Sequence, residues 1–115
     1  LRKQDFEGME KWLSKIADPE TALLRKQQGY YNYMYGVIYT RKNLTQAEKY
    51  FRKALQLGLT MDYDKAMVKM SLAGIMIQKR KKREAQELLT EAKKLDKQNM
   101  MTDQIKMLQQ QLKKI

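Results

Sequence analysis

The sequence has no cysteine, no histidine, a single proline and only five glycines in 115 residues. Without imidazole or thiolate there is no histidine acid/base relay and no cysteine nucleophile, and the usual ligands of zinc, haem and iron–sulfur sites are missing. No disulfide can form, which suits a reducing compartment such as the cytoplasm. The scarcity of Gly and Pro withholds the turn residues that an all-β chain of this length requires, so helices are expected. Long apolar runs are also absent. The longest, Leu72 to Ile77, is far short of the roughly 18 residues that a membrane-spanning helix needs.

What remains is basic and rich in large flexible or aromatic side chains. Lys and Arg number 24 against 13 Asp and Glu, a net charge of +11, alongside nine Met and seven Tyr. The length fits one domain, and 43% hydrophobic residues fill a modest core. The carboxylates offer no chemistry. Asp62 and Asp64 are two apart, which on a helix turns them to different sides, and Ala73 stands where a calcium loop would need its Glu. Ser14 and Ser71 have no histidine to activate them, and there is no Gly-rich phosphate loop. Neither a catalytic residue nor a metal or cofactor site is expected, so the chain is read as non-enzymatic.

A repeat of 38 residues runs through the chain. Met9, Leu13 and Ile16 recur as Ala47, Phe51 and Ala54, and again as Ala85, Leu89 and Ala92. The spacing of four then three places each triplet on one helical face, as a buried stripe. The same offset relates Gly36 to Gly74, Leu57 to Leu95, Met34 to Leu72 and Ile38 to Met76. The spacing predicts helices over 4–17, 20–41, 43–57, 61–80, 82–95 and 99–114. They group as a half repeat (4–17), two full repeats (20–57 and 60–95) and a capping helix (99–115). Asp18-Pro19-Glu20 reads as a stop and a start. Asn43 with Gln46 reads as a capping box, a place taken by Asp5 in the half repeat and by the unsuited Lys81 in the next. Gly58 reads as a C-terminal cap, with Thr60 or Asp62 opening the following helix.

Two-helix units with an Ala-x3-Phe-x2-Ala stripe on the second helix resemble the tetratricopeptide repeat family. On the first helices Tyr31, Met34, Tyr35 and Ile38, and Lys69, Leu72, Ala73 and Met76, stand at the family's spacings, and 16 residues separate Tyr31 from Ala47 and Lys69 from Ala85. Tyr35, Lys69 and the longer period depart from the family pattern. The resemblance implies an all-α, right-handed solenoid of stacked antiparallel helix pairs. It also implies a concave groove lined by the first helices, holding a segment of a partner protein. Counted from the matched positions, the groove carries Gly29, Asn32, Gly36 and Tyr39 in one repeat and Met67, Met70, Gly74 and Ile77 in the next. These are mostly neutral and apolar, which favours an apolar helix or extended segment over an acidic tail; the alternative is that the closing helix or an upstream segment of the chain covers this face itself. Tyr31, Tyr35 and Tyr30 read as packing between layers with their hydroxyls at an edge.

Five consecutive cations, Lys79-Arg80-Lys81-Lys82-Arg83, fall between the helices of one repeat; Arg41-Lys42 occupies the matching turn before it, and Arg2-Lys3 opens the chain. In a solenoid such turns stack into one basic edge. The leading expectation is a protein-binding scaffold using the groove. A nucleic-acid-binding repeat is the alternative, weakened because the inner face lacks regularly placed Asn, Asp, Ser or Thr. A further alternative is a cytoplasmic adaptor, tethered by a segment upstream of Leu1 and turned by its basic edge toward an anionic membrane. Phe6, Met9, Trp12, Leu13 and Ile16 on an uncovered first helix would then need a cover or a second copy of the chain.

Overall fold

The computed structural model describes residues 25–115, together with Gly8 and Glu10, which are helical. The half repeat over 4–17, the Asp18-Pro19-Glu20 boundary and Arg2-Lys3 otherwise lie outside the described residues. Five helices follow: α1 (Arg25–Tyr39), α2 (Leu44–Leu57), α3 (Asp62–Gln78), α4 (Lys82–Leu95) and α5 (Thr102–Leu112). No strand occurs among the described residues, which are all-α. The chain divides into two compact units, Leu1–Leu59 and Thr60–Ile115.

In the first unit α1 packs against α2. The stripe Ala47, Phe51 and Ala54 is fully buried on α2, while Lys49, Arg52 and Lys53 face solvent. Small residues flanking one large one let the helices approach closely around the Phe51 ring. Truncating such a side chain costs about 3–5 kcal/mol. The start of α2 is fixed by Asn43, whose Oδ1 accepts from the backbone N–H groups of Thr45 (3.0 Å) and Gln46 (3.2 Å). The Asn43 N–H itself donates to the Tyr39 carbonyl at 2.8 Å. At the other end Gly58, at φ 98°, turns the chain out of α2 while its N–H donates to the Ala54 carbonyl at 3.1 Å.

In the second unit α3 packs against α4, and α5 packs on both. Ala85, Leu89 and Ala92 are buried on α4, and α5 contributes Ile105 and Leu112. Lys81 at the cap position of α4 makes no side-chain cap bond, and neither does Met61 at that of α3. Met61 thus takes the place expected of Thr60 or Asp62; Asp62 and Asp64 lie in the first turn of α3, where their charge opposes the exposed N–H groups.

Several helix ends fall inside the spacing-based bounds: α1 ends at Tyr39 and not at 41, α5 ends at Leu112 and not at 114, and the starts of α2 and α3 move by one residue. Two of the differences have a clear local reason. α3 stops at Gln78 because Arg80 adopts a left-handed conformation (φ 60°), with N–H groups of Arg80 and Lys81 donating back to Ile77 and Met76 at 3.0 and 2.8 Å. That is a Schellman stop with arginine where glycine is favoured. α5 begins at Thr102, not near Asn99, because the buried Asp96 carboxylate accepts from the N–H groups of Met100 (2.9 Å) and Met101 (2.8 Å). Those bonds, with Asn99 left-handed at φ 57°, hold the segment as a turn.

Candidate functional site

The residues expected to line a groove do not form one solvent-facing surface. A Cβ on Gly36 would lie 2.6 Å from Cδ1 and Cε1 of Phe51, and one on Gly29 would lie 2.5 Å from the Gly58 carbonyl oxygen. Both glycines therefore mark the seam where α1 meets α2 and the link beyond it. Asn32, on the same face between them, is 5% exposed, and its Nδ2 donates to the Gln28 carbonyl at 2.7 Å. Helical spacing had grouped these three correctly on one face, but that face points inward.

The glycine of the second repeat has a different neighbour. Gly74, 38 residues after Gly36, meets only Leu108 of α5, at 3.9 Å from a built Cβ, so it faces the closing helix and not its own pair. Ile77 is buried, while Met67 and Met70 are half-buried. The fully buried small residues of α3 are Ala66 and Ala73, which follow Gly29 and Gly36 by 37 residues. The second helices keep the 38-residue register, and on the first helices Ile38 and Met76 keep it as well, both buried, whereas Gly36 and Gly74 meet different neighbours.

Tyr39 belongs to an aromatic cluster at the seam between α1 and α2. Tyr50 of α2 stacks on Tyr35 and Tyr39, with ring centroids 5.2 and 5.4 Å apart, and Tyr31 meets Tyr35 edge-on at 4.9 Å. Burial, with a hydrogen bond and charge repulsion from Tyr35, pushes the Tyr31 phenol from 10.0 up to about 12. Burial, then the neighbouring Tyr39 and Tyr35, raises Tyr50. Each of these four rings is partly buried, so the bodies of Tyr31, Tyr35, Tyr39 and Tyr50 pack against one another along the seam.

An open apolar surface lies elsewhere. At one end of the second unit, the start of α3, the end of α4 and the turn before α5 enclose a cleft of about 460 Å³, lined mainly by apolar atoms of Met61, Tyr63, Leu95 and Met100. Met61 and Met100 are 60% and 59% exposed, and Tyr63 is 41% exposed. At its rim Lys97 pairs with Asp62 at 3.2 Å, and Asp96 anchors the turn carrying Met100. Sequence spacing gave no sign of this cleft. Its residues sit at three helix ends, outside any periodic stripe, and only the richness in Met pointed to such a surface.

The basic turns are resolved in parts. Arg41 and Lys42 lie between α1 and α2; Lys79, Arg80 and Lys81 lie between α3 and α4, with Lys82 and Arg83 opening α4. Lys42 carries a counter-charge, pairing with Glu10 at 2.7 Å, and that carboxylate holds the ammonium above its usual value. Arg83 lies 3.8 Å from Glu87 one turn on. Among the described residues no group of His, Cys, Asp or Glu could hold a metal ion, and no helix is long and apolar enough to cross a membrane. The chain matches no family model, no curated protein and no solved structure.

Proposed function

We propose that the chain is a non-catalytic helical-repeat module of tetratricopeptide type, its helix pairs continuing in a right-handed stack, that binds an apolar segment of a partner protein in a reducing compartment. The observation that carries this reading is the Met61–Tyr63–Met100 cleft. Three large apolar side chains converge there while remaining about half exposed, which leaves an apolar surface open to a partner. Covering each such methionine contributes about 1 kcal/mol, and the unbranched thioether side chains adapt to different apolar shapes. The Asp62–Lys97 pair at the rim is already satisfied, so an incoming apolar side chain does not strand a charge. The contact surface then lies at the helix ends of the second unit.

The test is selection of binders from a random peptide display library on the 115-residue chain, followed by affinities for the wild type and for Met61→Glu/Met100→Glu. Selected peptides should share spaced apolar anchors and lose at least about tenfold in affinity for the double variant. Peptides that bind both proteins equally, or that share acidic and not apolar residues, would refute the assignment.

A further inference from the structure

At the opposite end of the second unit from the apolar cleft, α4 and α5 flank a second concavity of about 320 Å³. Its lining includes Lys82 from the first turn of α4, Lys113 just beyond α5, and the neutral groups Gln86, Thr90 and Gln109, with no carboxylate. Lys82 and Lys113 are 31 positions apart in sequence and converge only because α5 folds back along α4. Both are exposed, and neither makes an ion pair among the described residues. Lys81 and Lys114 adjoin them in the chain, and the first turn of α4 has no side-chain cap.

We propose that this concavity binds a small ligand bearing clustered phosphate monoesters, either free or as the headgroup of a lipid. Two lysines lining one space at the small end of ligand-pocket volumes suit a compact polyanion. A phosphate monoester carries close to two negative charges at neutral pH and several acceptor oxygens, so it can engage both lysines and the side-chain amides together. Single-stranded nucleic acid fits less well. Its binders rely on aromatic platforms for the bases, and the only aromatic residue of this unit, Tyr63, lines the cleft at the other end.

The experiment titrates the 115-residue chain with inositol trisphosphate at about 0.15 M salt, by calorimetry. Lys82→Gln/Lys113→Gln is compared with Lys93→Gln/Lys94→Gln, which removes the same charge toward the other end of α4. Saturable binding should weaken by at least about tenfold in the first variant and by less than about twofold in the second. Parallel arms use phosphatidylcholine vesicles carrying phosphatidylinositol bisphosphate or a charge-matched amount of phosphatidylserine. Preference for the bisphosphate vesicles over the free headgroup identifies a lipid source, and equal affinity identifies a soluble one. No saturable binding, equal losses in the two variants, or tighter binding of a single-stranded oligonucleotide at the same lysines would overturn the proposal. The apolar cleft is untouched by these substitutions, so failure here leaves the protein-binding reading to its own test.

Discussion

Gly36 and Gly74 occupy the same position in the 38-residue period, yet alanine at the two sites is expected to act in opposite directions. At either site alanine gains about 0.8–1.0 kcal/mol of helix propensity. At Gly36 the new methyl would also sit 2.6 Å from two ring carbons of Phe51, a side chain with no exposed surface into which to swing. Overpacking of this kind costs about 1–3 kcal/mol, so Gly36→Ala should destabilise by about 1 kcal/mol net. At Gly74 the nearest atom is 3.9 Å away, an ordinary contact, and the propensity gain should survive. The two variants should therefore lie about 2 kcal/mol apart. Urea unfolding followed by far-ultraviolet circular dichroism resolves that difference, since slopes of about 1–3 kcal/mol/M turn it into a midpoint separation on the order of 1 M. A double-mutant cycle adding Phe51→Leu should show coupling of at least about 0.5 kcal/mol with Gly36→Ala, because the ring is the atom group displaced. Equal stabilisation by both alanines, or no coupling to residue 51, would refute the assignment of Gly36 to the helix seam.

Asp96→Ala should cost about 2–3 kcal/mol by leaving the buried N–H of Met101, with that of Met100, unpaired, and hydrogen exchange should accelerate at both amides. Arg80→Gly should stabilise by about 1 kcal/mol, since the left-handed backbone there penalises a side chain that glycine lacks; an unchanged melting temperature would contradict the Schellman stop. Tyr31 should ionise late in a spectrophotometric base titration. Its folded value is raised from 10.0 to about 12, so the stability it contributes is complete below pH 10 and is lost as the pH rises toward 12, a loss that Tyr31→Phe should remove.

The second helix of each pair was legible because its pattern is clean. Ala47, Phe51 and Ala54, like Ala85, Leu89 and Ala92, stand at four-three spacing among charged neighbours, so only one face can be buried. The Asn43 cap and the Gly58 stop were legible for the same reason, as local chemistry with a fixed geometric role. The first helices resisted. α3 buries Ala66, Val68, Leu72, Ala73, Ile75, Met76 and Ile77, which is apolar nearly all round, so periodicity alone does not fix which face meets which neighbour. Asp96 was missed because an acidic residue in a linker reads as solvated, and only the packed turn shows its carboxylate bound to two backbone donors. The clefts at the two ends of the second unit were invisible because each joins residues from different helix ends, a property of how the helices pack and not of any one stripe.

The claim that this chain recognises apolar segments through its second unit is tested most directly by methyl-labelled methionine spectra during titration with a display-selected peptide. The nine methionines report from separate places in the chain, Met61 and Met100 among them at the cleft and Met67 and Met70 on α3. The account predicts saturable shifts at the Met61 and Met100 methyls, with those of Met67 and Met70 unchanged. Shifts concentrated at Met67 and Met70, with Met61 and Met100 silent, would contradict it and place the binding surface on the face of α3 instead.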